Sequence, residues 1–255
     1  MIYDCVTLFN DVELLDLRFM TLYDTVDYFV IVEAQESHIR EKKPLYFLEN
    51  RELFKPYWDK IIYISVGELP YADPRENEHH QRNLMAEGYK KAGPEDYIII
   101  GDIDEIANPV ALMQGINAGY EKFGLLQKLF YYYVNCLAVQ KWYGSMVWKK
   151  KHIPSPQYVR NHRGGDPHGI DNGGWHYSFL GGAEKIMLKL RSFSEQQVNT
   201  PDVNNEENIK RCLESGEDIF HRTEDWAQKR FITMDEIDHP QIKEWLKKYP
   251  HNFKA

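Results

Sequence analysis

The chain has 255 residues, enough for one large domain, and its 43% hydrophobic content can fill a substantial core. A net charge of -8 argues against nucleic acid or an anionic membrane as the main partner, since both demand a basic face; a local basic patch leaves peripheral membrane contact open. Three widely spaced cysteines, Cys5, Cys136 and Cys212, suggest neither a disulfide framework nor a Cys-x-x-Cys metal site and fit a reducing compartment.

The amino terminus carries Asp4 where a signal peptide needs a basic flank, and no apolar run approaches the roughly 18 to 20 residues that span a bilayer. A cytoplasmic protein is expected. Tyr3 to Phe9 reads as a first strand, and Asn10 with Glu13 has capping-box spacing for a helix whose apolar stripe is Val12, Leu15, Phe19 and Leu22. Tyr28 to Val32 is a second buried strand ending in Glu33, so a right-handed β-α-β unit would bring Asn10, Glu13 and Glu33 to one sheet edge. Ser37 to Pro44 is a basic loop, expected to be solvated. A short helical segment from Leu45 to Phe54, a third strand from Ile61 to Val66 and a helix from Glu76 to Lys91 follow.

The fourth strand, from Tyr97, runs into Gly101-Asp102-Ile103-Asp104-Glu105-Ile106. Three carboxylates at the end of a buried strand occupy the place where open α/β sheets bind ligands. Hard oxygens spaced this way suit a divalent cation that keeps other positions for water and phosphate. A polar strand end capping the next helix is the plainer alternative. Past Pro109 a helix reaches Gly119, and Leu125 to Val134 is a longer strand. Lys149 to His152 reads as a solvated basic run, and Gly164 to Gly169 carries turn signals. Gly173 to Leu180 is a strand, Gly181-Gly182 turns into a helix from Ala183 to Leu190, and two helices, Asn204 to Leu213 and Pro240 to Tyr249, close the chain.

The segments Tyr28-Phe29-Val30-Ile31-Val32-Glu33, Lys43-Pro44-Leu45-Tyr46-Phe47, Gln81-Arg82-Asn83, Gly101 to Ile106, Gly173-Gly174-Trp175-His176 and Lys189-Leu190 occur in an order that resembles glycosyltransferase family 17. The resemblance implies an α/β fold of GT-A type, a Rossmann-like nucleotide-binding half (about residues 1 to 110) merged with an acceptor-binding half (about 111 to 255) in a single domain. It also implies a nucleotide-sugar donor, most simply a UDP-sugar carrying N-acetylglucosamine or a related hexose. A glycan acceptor, Mn²⁺ or Mg²⁺, and inversion at the anomeric carbon complete the picture. Asp104 is the expected metal contact, with Asp102 on ribose or a metal-bound water and His176 on metal or diphosphate, unless it is a core histidine.

Arg82 and Lys189 are candidates for phosphate, Glu33 and Asn10 for the nucleotide. Glu184, in a helix's first turn, is the expected base, with Asp171 in reserve. Trp175 is the expected acceptor-stacking surface, core packing being its alternative. Glu105 holds the turn and stays out of the catalytic set. A sugar-nucleotide hydrolase or nucleotidyltransferase, a glycan-binding module and an inactive transferase remain as rivals.

Overall fold

The computed structural model describes residues 1–165 and 168–255. Of the turn signals at Gly164 to Gly169, Asp166 and Pro167 lie outside the described residues. Four apolar strands, β1 (Ile2–Leu8), β2 (Tyr28–Ala34), β3 (Ile61–Val66) and β4 (Tyr97–Ile100), pair in parallel in the order β3-β2-β1-β4. Their runs of valine and isoleucine follow from burial on both faces. On one face α1 (Val12–Leu22) packs Leu15 and Phe19 with Val6 and Ile31. Beside it lie α2 (Tyr46–Glu49) and a 3-10 segment, Arg51–Lys60, with Phe54 buried. On the other face α3 (Pro74–Asn83) and α4 (Met85–Gly88) lie over Val30 and Ile98.

The single helix expected from Glu76 to Lys91 is thus two, broken at Leu84. The break lets Gly88 back directly onto β2, where a Cβ would sit 2.2 Å from Val30 Cγ1. The capping box at Asn10 does not form: α1 starts at Val12 after Asp11, and Glu13 instead accepts from Asn252 Nδ2 at 2.8 Å.

After β4 the sheet continues as a mixed half built from β5 (Glu105–Ala107), β6 (Lys122–Tyr131), β7 (Cys136–Lys149), β8 (Gly169–Ile170), β9 (Gly174–Ser178) and β10 (Lys229–Phe231). Strand β7 runs antiparallel to both β4 and β6, β9 lies parallel to β6, and β5 closes the edge antiparallel to β9. The expected strand through Val134 stops at Tyr131 because Tyr132 takes a left-handed turn with φ of 66°. Helix α5 (Pro109–Asn117) is capped by Asn108, and α6 (Pro156–Asn161) by Ser155. Helices α7 (Ala183–Ser192) and α8 (Glu206–Ser215) pack Ile186, Leu190 and Ile209 around Tyr132, and α9 (Ile242–Lys248) buries Trp245 against the first half. The result is a Rossmann-like α/β sheet continued by a mixed half, as the GT-A type expectation has it. Among the described residues no helix is long and apolar enough to cross a membrane.

Candidate functional site

The site is built around the turn between β4 and β5. Gly101 opens it with its backbone close against β7, where a Cβ would lie 2.3 Å from Ser145 Oγ and force it to shift. Glu105, fully buried, holds the turn by accepting Asp102 N–H at 3.0 Å. The same carboxylate accepts from Trp142 Nε1 at 2.7 Å, from Arg160 Nη1 at 2.9 Å and from Arg163 Nη1 at 3.3 Å. From inside the core, Arg18 on α1 donates to the carbonyls of Asp102 and Glu105 at 3.1 and 2.8 Å. Arg18 is itself neutralised by Asp4 on β1 through two bonds of 2.6 Å.

The two aspartates of this turn meet cations. Asp102 accepts from Arg82 Nη2 at 3.2 Å and from Arg160 Nη2. Burial alone would raise its carboxyl, but Arg160 and Arg82 pull it down to about 2. Asp104 accepts from Lys189 Nζ at 3.0 Å, and His176 Nε2 stands 3.6 Å from its other oxygen. Against the same burial, Lys189 and His176 hold Asp104 far below the usual carboxylate range.

Arg82, Asp102, Asp104, Arg160, Arg163 and Lys189 line a cleft of about 430 Å³ at the carboxyl edge of β1 and β4, together with Thr7, Phe9, His38 and Glu195. That volume lies within the range of ordinary small-molecule sites. Four of the expected residues, Asp102, Asp104, Arg82 and Lys189, converge in the cleft, and His176 backs Asp104.

The others lie elsewhere. Glu33 is fully buried and caps α2, accepting from the N–H groups of Tyr46 and Phe47 and from Tyr63 Oη, so it faces no nucleotide. Lys43 is not solvated but held on Glu33 at 3.2 Å. Asn10 is buried and does not line the cleft; its neighbour Asp11 does. Glu184 is exposed in the first turn of α7, and Asp171 pairs with Lys141 at 2.8 Å on the surface; neither lines the cleft. Trp175 is 2% exposed, stacked 3.8 Å from His239 and bonded through Nε1 to Asp238, so it is core and offers no stacking surface. The cleft's own tryptophan is Trp142, which packs under Arg163 and beside His176. Arg160 and Arg163 also line the cleft, and the sequence reading names neither. Their three-residue spacing at the end of α6 was the available signal.

A family model described as "Glycosyltransferase family 17" matches residues 1–248. The chain belongs to glycosyltransferase family 17. Relatives named Beta-1,4-mannosyl-glycoprotein 4-beta-N-acetylglucosaminyltransferase, from Rattus norvegicus and Homo sapiens, are each 27% identical over 114 residues. The match covers 41% of this chain and 21% of each relative, so the chain aligns with about a fifth of their length. A solved structure of 4-diphosphocytidyl-2C-methyl-D-erythritol synthase aligns with 67% of this chain and 88% of its own, at 13% identity and a TM-score of 0.39.

Among the described residues no group of three or more histidine, cysteine or acidic side chains gathers into a metal cage. Mg²⁺ and Mn²⁺ at phosphate sites do not need one, because one or two carboxylates suffice when water and phosphate supply the rest. The paired Asp102 and Asp104, with His176 Nδ1 buried and unpartnered among the described residues, fit that pattern of partial coordination.

Proposed function

We propose that this enzyme transfers N-acetylglucosamine, or a related hexose, from a UDP-sugar to a hydroxyl of a glycan acceptor, with inversion. The observation that carries the reading is the convergence of Asp102, Asp104, Arg82 and Lys189 in one cleft at the carboxyl edge of the parallel strands. Guanidinium forks match phosphate oxygens two at a time, and Arg82, Arg160 and Arg163 place three of them in the cleft. The choice of N-acetylglucosamine is supported by the names of the relatives alone. A bound Mn²⁺ or Mg²⁺, held by Asp104 and Asp102 beside His176, would supply Lewis-acid stabilisation of the leaving diphosphate.

An acceptor hydroxyl attacks the anomeric carbon opposite the diphosphate and gives its proton to a carboxylate base. Asp11 and Glu195 line the cleft and form no direct ion pair among the described residues, although Lys189 feels the charge of Asp11, whereas Glu184 stands outside the cleft. The base is assigned to that pair in place of Glu184.

The test is calorimetric titration of nucleoside diphosphates with Mn²⁺. UDP should bind and lose its binding in Asp104→Ala, and either Asp11→Asn or Glu195→Gln should keep UDP binding while transfer falls about 10² to 10⁴-fold. Failure of every nucleoside diphosphate to bind the folded protein would refute the reading.

A further inference from the structure

Four cations stand against four carboxylates: Glu78, Arg82, Asp102, Arg160, Glu105 and Arg163 are linked in a chain of ion pairs, and Lys189 pairs with Asp104 beside it. These eight groups cancel one another, while Asp11, Glu195 and Arg75 line the same cleft outside the ion-paired set. A divalent cation alone would leave two uncompensated positive charges in a largely buried site, and a diphosphate alone would leave negative ones. Arriving together, the metal and the two acidic phosphates of a sugar nucleotide nearly cancel. Uncompensated buried charge is costly, so the cluster favours taking both at once.

One residue is placed to make that exchange. Lys189 Nζ holds Asp104 from the last turn of α7, whose Ile186 and Leu190 are anchored in the core. Its ammonium carries three donors and uses one of them on the protein, and its side chain is 27% exposed. The four-carbon stem can pivot without moving the helix. Donors for phosphate also stand nearby: Arg163 gives one hydrogen bond, to Glu105, and Arg82 Nε is buried without an acceptor among the described residues.

Building on the UDP-sugar reading, we propose that Lys189 is an internal stand-in for the divalent cation. It occupies the Asp104 carboxylate in this structure and turns onto the donor's diphosphate when the cation takes its place. Lys189 thus competes with the metal for Asp104 and assists the nucleotide, so its removal acts on the two ligands with opposite signs.

The experiment titrates nucleotide-free protein with Mn²⁺, following free Mn²⁺ by its paramagnetic resonance signal, and then titrates UDP and pyrophosphate at saturating Mn²⁺. Lys189→Met should bind Mn²⁺ about tenfold or more tighter than wild type, and UDP about tenfold or more weaker. Lys189→Gln, which keeps a polar group beside Asp104, should change both in the same directions; melting curves establish that each variant is folded. A folded variant with unchanged or weaker Mn²⁺ affinity overturns the proposal, because Lys189 would then not be competing for Asp104. Wild type that binds pyrophosphate but not UDP removes the UDP reading and leaves the stand-in role to the Mn²⁺ titration. Wild type that binds neither overturns both.

Discussion

Replacing Arg18 by methionine tests whether the acidic turn is held from within the core. The substitution leaves the Asp4 carboxylate fully buried without its partner and strips donors from the carbonyls of Asp102 and Glu105. Breaking a buried pair on one side costs about 3–5 kcal/mol, a large part of the roughly 5–15 kcal/mol that holds a domain. In urea, with a slope of about 3 kcal/mol/M, the unfolding midpoint should fall by about 1 to 1.7 M. The double variant Asp4→Leu/Arg18→Met removes both charges and should regain much of that stability, since an apolar pair tolerates the same site. It still removes one donor from each of the turn's carbonyls, leaving Asp102 O only the Glu105 N–H and Glu105 O only Ser145 Oγ, at about 0.5–1.5 kcal/mol for each lost bond. UDP affinity in Mn²⁺ should therefore stay low in the double variant. Tryptophan fluorescence gives the midpoints and calorimetry the affinities. A double variant that restores stability and UDP affinity alike would show that Arg18 serves only to neutralise Asp4.

Gly101→Ala should weaken UDP binding and cost about 1–3 kcal/mol, because its methyl collides with Ser145 Oγ; a crystal structure showing an unmoved turn would contradict this. Burial drives the His239 imidazole down to about 3, so the folded protein keeps it neutral while the unfolded chain protonates it near its ordinary value of about 6.5. Stability is then fully present above that value and is lost as pH falls: about 2 kcal/mol should go between pH 6.5 and 5, and His239→Gln should flatten that slope in urea unfolding at the two pH values. Trp175→Ala should cost about 3–5 kcal/mol as a core cavity, with the acceptor KM unchanged in whatever fraction stays folded. Glu184→Gln and Asp171→Asn should leave transfer within about twofold of wild type, as exposed substitutions away from the cleft.

What the sequence shows most clearly is local. The runs of β1 to β4 are legible as strands because they are short, rich in β-branched residues and apolar on both faces, and Asp102 and Asp104 stand out because their chemistry and strand-end position are adjacent in the chain. The side a residue faces is less legible. In the pairing of β5 with β9, Glu105 lies opposite His176 and Ile106 opposite Trp175. Alternation along the strand thus gives His176 to Asp104 and Trp175 to the core, a choice set by register. The Gly181-Gly182 turn does lead into a helix, but Lys189 meets Asp104, and Glu184, five residues earlier, lies off that face because neighbours on a helix surface are three or four apart. Arg18 sits among the apolar residues of α1 and reads as a surface charge until its partners on β1 and the acidic turn are known.

The turn at Asp102 has a consequence for the order in which the protein folds. Its clamps come from Arg18, 87 residues before Glu105, from Arg160, 55 residues after Glu105, and from Lys189, 85 residues after Asp104. Contacts so distant along the chain close late, after the loops between them have lost their freedom. The cleft should therefore be among the last parts of the native state to form. A nucleotide that binds only the closed arrangement draws on the stability of the whole chain, and at a hundred times its dissociation constant it should stabilise the fold by about 2.7 kcal/mol.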